Sequence, residues 1–202
     1  MQLHPKFFNN ILKPALFLSL LSPTLWLIAG LWGDTLGVNP IETLFHTLGE
    51  WALILLLLTL SLSPLKRLLH WPQLILLRRM TGLFTFYYAS LHLLCYLWFE
   101  QGFSISAIYT DILERPFIAA GACAFLMLTL MAITSTHTTM RQLGYYWKML
   151  HLLVYPTVIL SVVHFWWLVK ADTTKPLIYA IITSALLTER LWRIYRRKVS
   201  GA

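Results

Sequence analysis

Apolar runs long enough to cross a lipid bilayer recur along almost the whole of this 202-residue chain. A hydrocarbon core of about 30 Å takes about 20 helical residues to cross. Lipid offers backbone amides no partners, so the spanning structures open to such a chain are helices or a closed barrel, and barrel strands of alternating polarity are absent. The expected fold is therefore all-α: a polytopic bundle of six transmembrane helices near residues 13–32, 46–63, 80–99, 116–135, 149–169 and 177–194. With 58% hydrophobic and 12% charged residues, no segment remains for a separate soluble domain, and residues 1–202 read as a single membrane domain.

The span edges have physical markers. Pro64 follows the second span, Pro116 and Pro176 occupy first-turn positions of the fourth and sixth, and Gly33, Gly37 and Gly102 fall in connections. The first span, with Lys6 and Lys13 at its start, has a long apolar run and no A-x-A site after it, so it is expected to be retained rather than cleaved. Pro23 in its middle is expected to kink it.

Charge sets the orientation. With the N-terminus cytoplasmic, 13 of the 16 basic residues lie inside and only Arg115, Lys170 and Lys175 lie outside. The positive-inside rule then places both termini in the cytoplasm. The formal net charge of +8 is a topology signal, which leaves no nucleic-acid partner to invoke. Cys95 and Cys123 form no CxxC or CxxCH motif, so neither covalent haem nor a disulfide framework is indicated, and both are expected as small buried apolar residues.

Ionisable groups inside apolar helices are costly and usually functional. His92 lies in the third span, and His151 and His164 lie in the fifth. Haem iron in an electron carrier is commonly held by two neutral imidazoles that stay attached in both oxidation states. The third and fifth spans run in the same direction, with His92 about 12 residues into its span and His164 about 15 into its own. At 1.5 Å per residue these are similar depths. His92 and His164 are thus the expected axial pair of one haem. His151 lies 13 residues before His164, a rise of about 20 Å, near the cytoplasmic surface. Arg78, 14 residues before His92, is its opposite number, and the spacing allows a second haem between them. A guanidinium is an unusual iron ligand and better suited to haem propionates, and Arg78 with Arg79 can equally be topology anchors. A spacing of 13 also turns a straight helix by about 220°, so His151 and His164 share a face only if Pro156 or supercoiling alters the winding.

His46 opens the second span on the outer side, where a propionate, a quinone headgroup or a structural interfacial role would suit it. His4, His70 and His137 fall in cytoplasmic segments, and no zinc-site spacing occurs. The tryptophans cluster toward span ends as an aromatic belt, and Trp166 is placed to line a haem edge. Residues 66–79 read as an amphipathic segment along the inner surface.

Several blocks, in order, resemble the ferric-reductase-like transmembrane proteins: Arg78-Arg79, Gly82-Leu83, Leu91-His92-Leu93, Arg115-Pro116, Ser135-Thr136, Leu143-Gly144, Trp147, Leu150-His151, Val154-Tyr155, His164 and Pro176-Leu177-Ile178-Tyr179. Within that family the resemblance is to the haem-bearing membrane subunits of two-part systems that repair oxidised methionine in periplasmic proteins. It implies a bacterial inner-membrane oxidoreductase subunit with haem b and FMN. Electrons would come from the respiratory quinone pool and go to a soluble periplasmic molybdopterin enzyme that carries out the sulfoxide reduction itself. The family's haem histidines carry over onto His92, His151 and His164. Where two-haem relatives have an inner histidine on the third helix, this chain has Arg78. No glycine-rich strand-to-helix motif for a nicotinamide occurs, and the residues themselves mark no FMN site. The competing readings are a transporter or channel, opposed by the lack of a midplane acid and of an evident internal repeat, and a non-redox assembly subunit.

Overall fold

A computed structural model describes residues 5–169 and 172–200, so His4 and Lys170 lie outside the described residues. In chain order, α1 (Pro5–Phe7) and a π-turn (Phe8–Leu12) lead into α2 (Lys13–Trp32), followed by α3 (Pro40–Leu68). A 3-10 segment (Pro72–Leu77) enters α4 (Arg78–Cys95), which ends in a π-segment (Tyr96–Glu100). The short α5 (Ile105–Glu114) precedes α6 (Pro116–Ile133), α7 (His137–Leu143) and α8 (Tyr145–Leu150). A 3-10 turn (His151–Leu153), α9 (Val154–Leu168) and α10 (Thr174–Ser200) complete the chain. By their contacts these elements divide into two compact units, Met1–Ile108 and Tyr109–Ala202.

In the first unit α3 and α4 run antiparallel, with Thr59 facing Thr81 near one end and Gly49 facing His92 near the other. Leu20 and Leu27 of α2, Leu48 and Leu55 of α3, and Phe84 and Tyr88 of α4 build one core at helical spacings. Between lipid-embedded helices, association comes from packing and interhelical hydrogen bonds rather than from expelling water. The hydroxyls of Thr59 and Thr81 lie 2.9 Å apart. Tyr88, fully buried, donates to the Leu20 carbonyl at 2.7 Å and accepts from the Thr24 hydroxyl at 3.2 Å, which ties α4 to α2. Pro23 leaves the Ser19 carbonyl without its helical donor, and the Ser22 hydroxyl supplies one at 2.8 Å. Tyr88→Phe removes the α4 to α2 link with little change in shape. It is expected to destabilise the protein by about 1–2 kcal/mol, seen as a lower melting midpoint of the detergent-solubilised protein; an unchanged midpoint would assign the link no weight.

In the second unit α6 buries Ala120, Ala124, Leu128 and Met131 along one stripe, and α9, which packs against it, buries Val154, Thr157, Val158 and Val162. The ring of Tyr179 on α10 meets Phe165 on α9 at 5.9 Å. Outside the spans, hydrogen bonds from the hydroxyl and amide of Thr174 hold the Asp172 carboxyl below the usual carboxylate range at the start of α10.

The all-α polytopic fold is as expected, with particular differences. Five described helical stretches are long and apolar enough to span: Phe8–Trp32, Pro40–Leu68, Pro72–Glu100, Pro116–Ile133 and Tyr145–Leu168. The sixth, α10, is long enough, but its second half carries Glu189, Arg190, Arg193, Arg196, Arg197 and Lys198. Pro64 does not end the second span, since α3 continues through it to Leu68 and closes on Lys66 and Arg67. A proline near a helix end forfeits one bond but not the helix, and cations there suit the dipole. Within residues 66–79, read as an amphipathic segment, the chain turns at His70 (φ +51°) before the 3-10 segment. Leu74 and Leu77 of that segment bury against Phe8 and Leu62. Cys95 is half-buried, whereas Cys123 is exposed on the outside of α6, a place that lipid makes acceptable for a small apolar side chain.

Candidate functional site

The histidines separate by environment. His46, His70 and His137 are exposed, while His92, His151 and His164 are half-buried. His46 lies 3.6 Å from Glu42, one turn earlier on α3. The three half-buried rings share a feature that fixes their chemistry: each places Nδ1 on a backbone carbonyl. His92 Nδ1 is 3.1 Å from the Phe45 oxygen, His164 Nδ1 is 2.6 Å from the Phe117 oxygen, and His151 Nδ1 is 3.0 Å from the Trp147 oxygen. A carbonyl can only accept, so Nδ1 carries the proton, and in the neutral ring the lone pair sits on Nε2. That tautomer is the one an imidazole needs to ligate iron through Nε2 with its other nitrogen anchored.

In the first unit, Phe45 and Gly49 lie one turn apart on α3, opposite His92 on α4. The Phe45 ring stands edge-on to the imidazole at 5.8 Å and 90°. A Cβ built on Gly49 would lie 3.2 Å from both Nδ1 and Cε1 of His92. The second unit repeats this with Phe117 and Gly121 on α6 opposite His164 on α9. There the rings are 6.2 Å apart, and a Cβ on Gly121 would lie 2.8 Å from Nδ1 and 3.0 Å from Cε1. Each member of the second trio follows its counterpart by the same 72 residues, as 45 to 117, 49 to 121 and 92 to 164. Both carbonyl bonds accordingly span 47 residues. The conserved-offset trio escaped the sequence reading, which found no internal repeat. Its signal is Phe-x3-Gly followed by histidine 43 residues after the glycine, twice in the chain.

His151 is set differently. It closes α8, and its bond goes to the carbonyl one turn back on its own helix. The Trp147 ring lies over it at 4.1 Å and is itself held by donation from its indole N–H to the Thr134 carbonyl at 3.0 Å. The winding does change between His151 and His164. Pro156 withholds the N–H that the Leu152 carbonyl would take in a regular helix, and the 3-10 turn His151–Leu153 lies just upstream. Three residues at 3.0 rather than 3.6 per turn add about 60°, which cuts the angular mismatch from about 140° to about 80°. On α4, Arg78 is half-buried and Arg79 exposed, so of the two arginines Arg78 is the one turned toward the protein. The π-segment Tyr96–Glu100 begins one turn after His92, and π-turns are common beside functional residues.

The residues present fit haem as a ligand set. Each ring has its Nδ1 anchored on a main-chain carbonyl, and two of them sit against cradles that a single Cβ would fill. Among the described residues no three His, Cys, Asp or Glu side chains group as a metal site.

Comparison with known proteins agrees with this chemistry. Residues 48–162 match the family described as ferric reductase like transmembrane component. The chain is 48% identical over 93% of its length, and 80% of the relative's, to a protein-methionine-sulfoxide reductase heme-binding subunit MsrQ of Azospira oryzae. It is 45% identical to the protein of that name from Rhodospirillum rubrum (93% of the chain, 90% of the relative) and 42% identical to that of Bordetella parapertussis (93% and 92%). No solved structure matches. Apolar helices able to span a bilayer and these bacterial relatives make it a multi-pass protein of the bacterial inner membrane. On sequence match and helical architecture together, the chain belongs to the ferric-reductase-like transmembrane family, among the heme-binding subunits called MsrQ.

Proposed function

We propose that this chain is the haem b-bearing electron-transfer subunit of a methionine sulfoxide reductase system, in which His92 and His164 would hold one haem and His151 a second. The observation that carries the reading is the Nδ1 anchoring of all three imidazoles on main-chain carbonyls. Imidazoles such as His92 and His164 would hold a haem whose iron can exchange one electron without a change of ligand. The chain's own contribution is to fix ring tautomer and orientation, and to keep the ligands inside apolar helices away from water. Arg78, half-buried on α4, is proposed to bind haem propionates as a fixed cation rather than to ligate iron.

Both termini are cytoplasmic in this reading, as the distribution of lysine and arginine supports. Electrons then pass outward from membrane quinones to a periplasmic molybdopterin partner of the MsrP kind, which performs the sulfoxide reduction. FMN as a further cofactor, the quinone donor and that partner rest on the family resemblance. The chain works as one domain, a view supported by a family match that runs across the junction of the two units. The test is a reduced-minus-oxidised spectrum of the purified protein with haem quantified per chain. A b-type Soret and α-band at one or two haems per chain is expected, and a folded, colourless protein from haem-replete cells would overturn the reading.

A further inference from the structure

We infer that Gly49 and Gly121 are positioning residues for haem ligation, each forming with the phenylalanine carbonyl one turn before it a seat that holds the facing imidazole. The inference rests on the proposed haem ligation by His92 and His164, and it adds what sets those two rings.

The geometry follows from the helix itself. Every Cα–Cβ bond on an α-helix leans toward the N-terminus, so the Cβ of a residue sits beside the carbonyl four residues earlier. That carbonyl already accepts the helical N–H from the later residue. A second donor must approach it from the side, over the place where the Cβ would be. At position 49 the approach to the Phe45 oxygen is open because there is no Cβ, and at position 121 the approach to the Phe117 oxygen is open for the same reason. In both cases the three nearest atoms to the missing Cβ, beyond the glycine's neighbours and its own helix backbone, belong to the histidine ring, at 3.2 to 3.8 Å for Gly49 and 2.8 to 3.4 Å for Gly121. Ordinary small-residue packing between membrane helices brings backbone against backbone, and here the space is filled by an imidazole.

Gly82 on α4 shows the contrast, since a Cβ there would meet only the Thr59 methyl at 3.8 Å. Glycine weakens a helix interior, yet it occurs at the same register in two units. The register is also the one that places Phe45 and Phe117 edge-on or tilted against the bound ring. Nδ1–H donation to an acceptor raises the basicity of the ligating nitrogen and so favours ferric over ferrous iron. Displacing the ring from its carbonyl therefore shifts the haem's midpoint potential upward.

The experiment compares Gly121→Ala, Gly49→Ala and Gly82→Ala in the full-length membrane protein. The readouts are haem per chain, the low-temperature electron paramagnetic resonance of the ferric state and the midpoint potential. Gly121→Ala is expected to have the largest effect, because a Cβ 2.8 Å from Nδ1 cannot be accommodated without moving the ring. It should lose haem, or keep it with a changed low-spin signal and a raised potential. Gly49→Ala, with clearances of 3.2 Å, should retain haem and show the same changes in smaller measure, which keeps the idea testable if Gly121→Ala does not fold. Gly82→Ala should match the parent. Parental signals and potential in both Gly49→Ala and any folded Gly121→Ala would overturn the seat while leaving haem ligation standing. A parent without haem, or one whose haem survives loss of His92 and His164, would instead overturn the ligation on which the seat depends.

Discussion

His164→Ala, and separately His92→Ala, are expected to leave the folded protein without the haem that these two residues are proposed to hold. Loss of an outer partner that only orients a ligand typically costs about 10- to 100-fold in metal affinity, so loss of the ligand itself should exceed about 100-fold. The reason lies in how each ring is set. The His164 Nδ1–H is anchored at 2.6 Å to a carbonyl in the first turn of α6, and an alanine leaves that carbonyl in place with nothing to present to iron. The measurement is Soret absorbance per chain at matched protein, with folding checked by helical circular dichroism. Recovery of the spectrum in His164→Gly on adding imidazole would show that the vacancy, not misfolding, is responsible. Full haem in both alanine variants would remove the proposed axial pair.

His151→Ala should give a different result: the haem held by His92 and His164 stays, and only a second haem is lost. Thirteen residues of largely helical chain separate His151 from His164, about 20 Å of rise, which is too far for one macrocycle to bridge. The Trp147 ring at 4.1 Å restricts His151 to one orientation, so its loss should act locally. Spectra of this variant should therefore show about half the parental haem where the parent holds two. Arg78→Lys and Arg78→Ala refine the picture. A cation that pairs with propionates is replaced in part by lysine and not by alanine, so Lys should retain more of the inner haem than Ala. Equal and full retention in both would exclude any direct ligation by Arg78. Loss of every haem in a folded His151→Ala protein would contradict the separation of the two sites.

How much was legible in the sequence depends on which force selects the residue. Lipid imposes length and apolarity on a span, so the helical stretches could be read from composition alone, and a histidine in such a setting is conspicuous because it is expensive. What was not legible depends on backbone geometry. Pro64 looked like a boundary because proline breaks helices in general, yet near the end of α3 the forfeited bond is cheap and the helix runs on to Leu68. Pro156 does alter the winding, but it acts one turn upstream, in the 3-10 turn His151–Leu153, where the Leu152 carbonyl loses its donor. α10 is one continuous helix whose second half carries most of its charge, so length alone does not set how much of it lies in lipid. The glycines opposite His92 and His164 could not be weighed at all without coordinates. A glycine in a membrane helix has many causes, and only the ring atoms placed next to its missing Cβ single one out.

One consequence follows from the acceptor being part of the main chain. A carboxylate partner would change charge with acidity and could be deleted by one codon change, whereas an amide oxygen is neutral at every physiological pH and present whatever residue occupies position 45 or 117. The electron affinity of the iron would thus be shielded both from the proton gradient across the membrane and from drift in the gene, with the two glycines as the points where a mutation could still reach it.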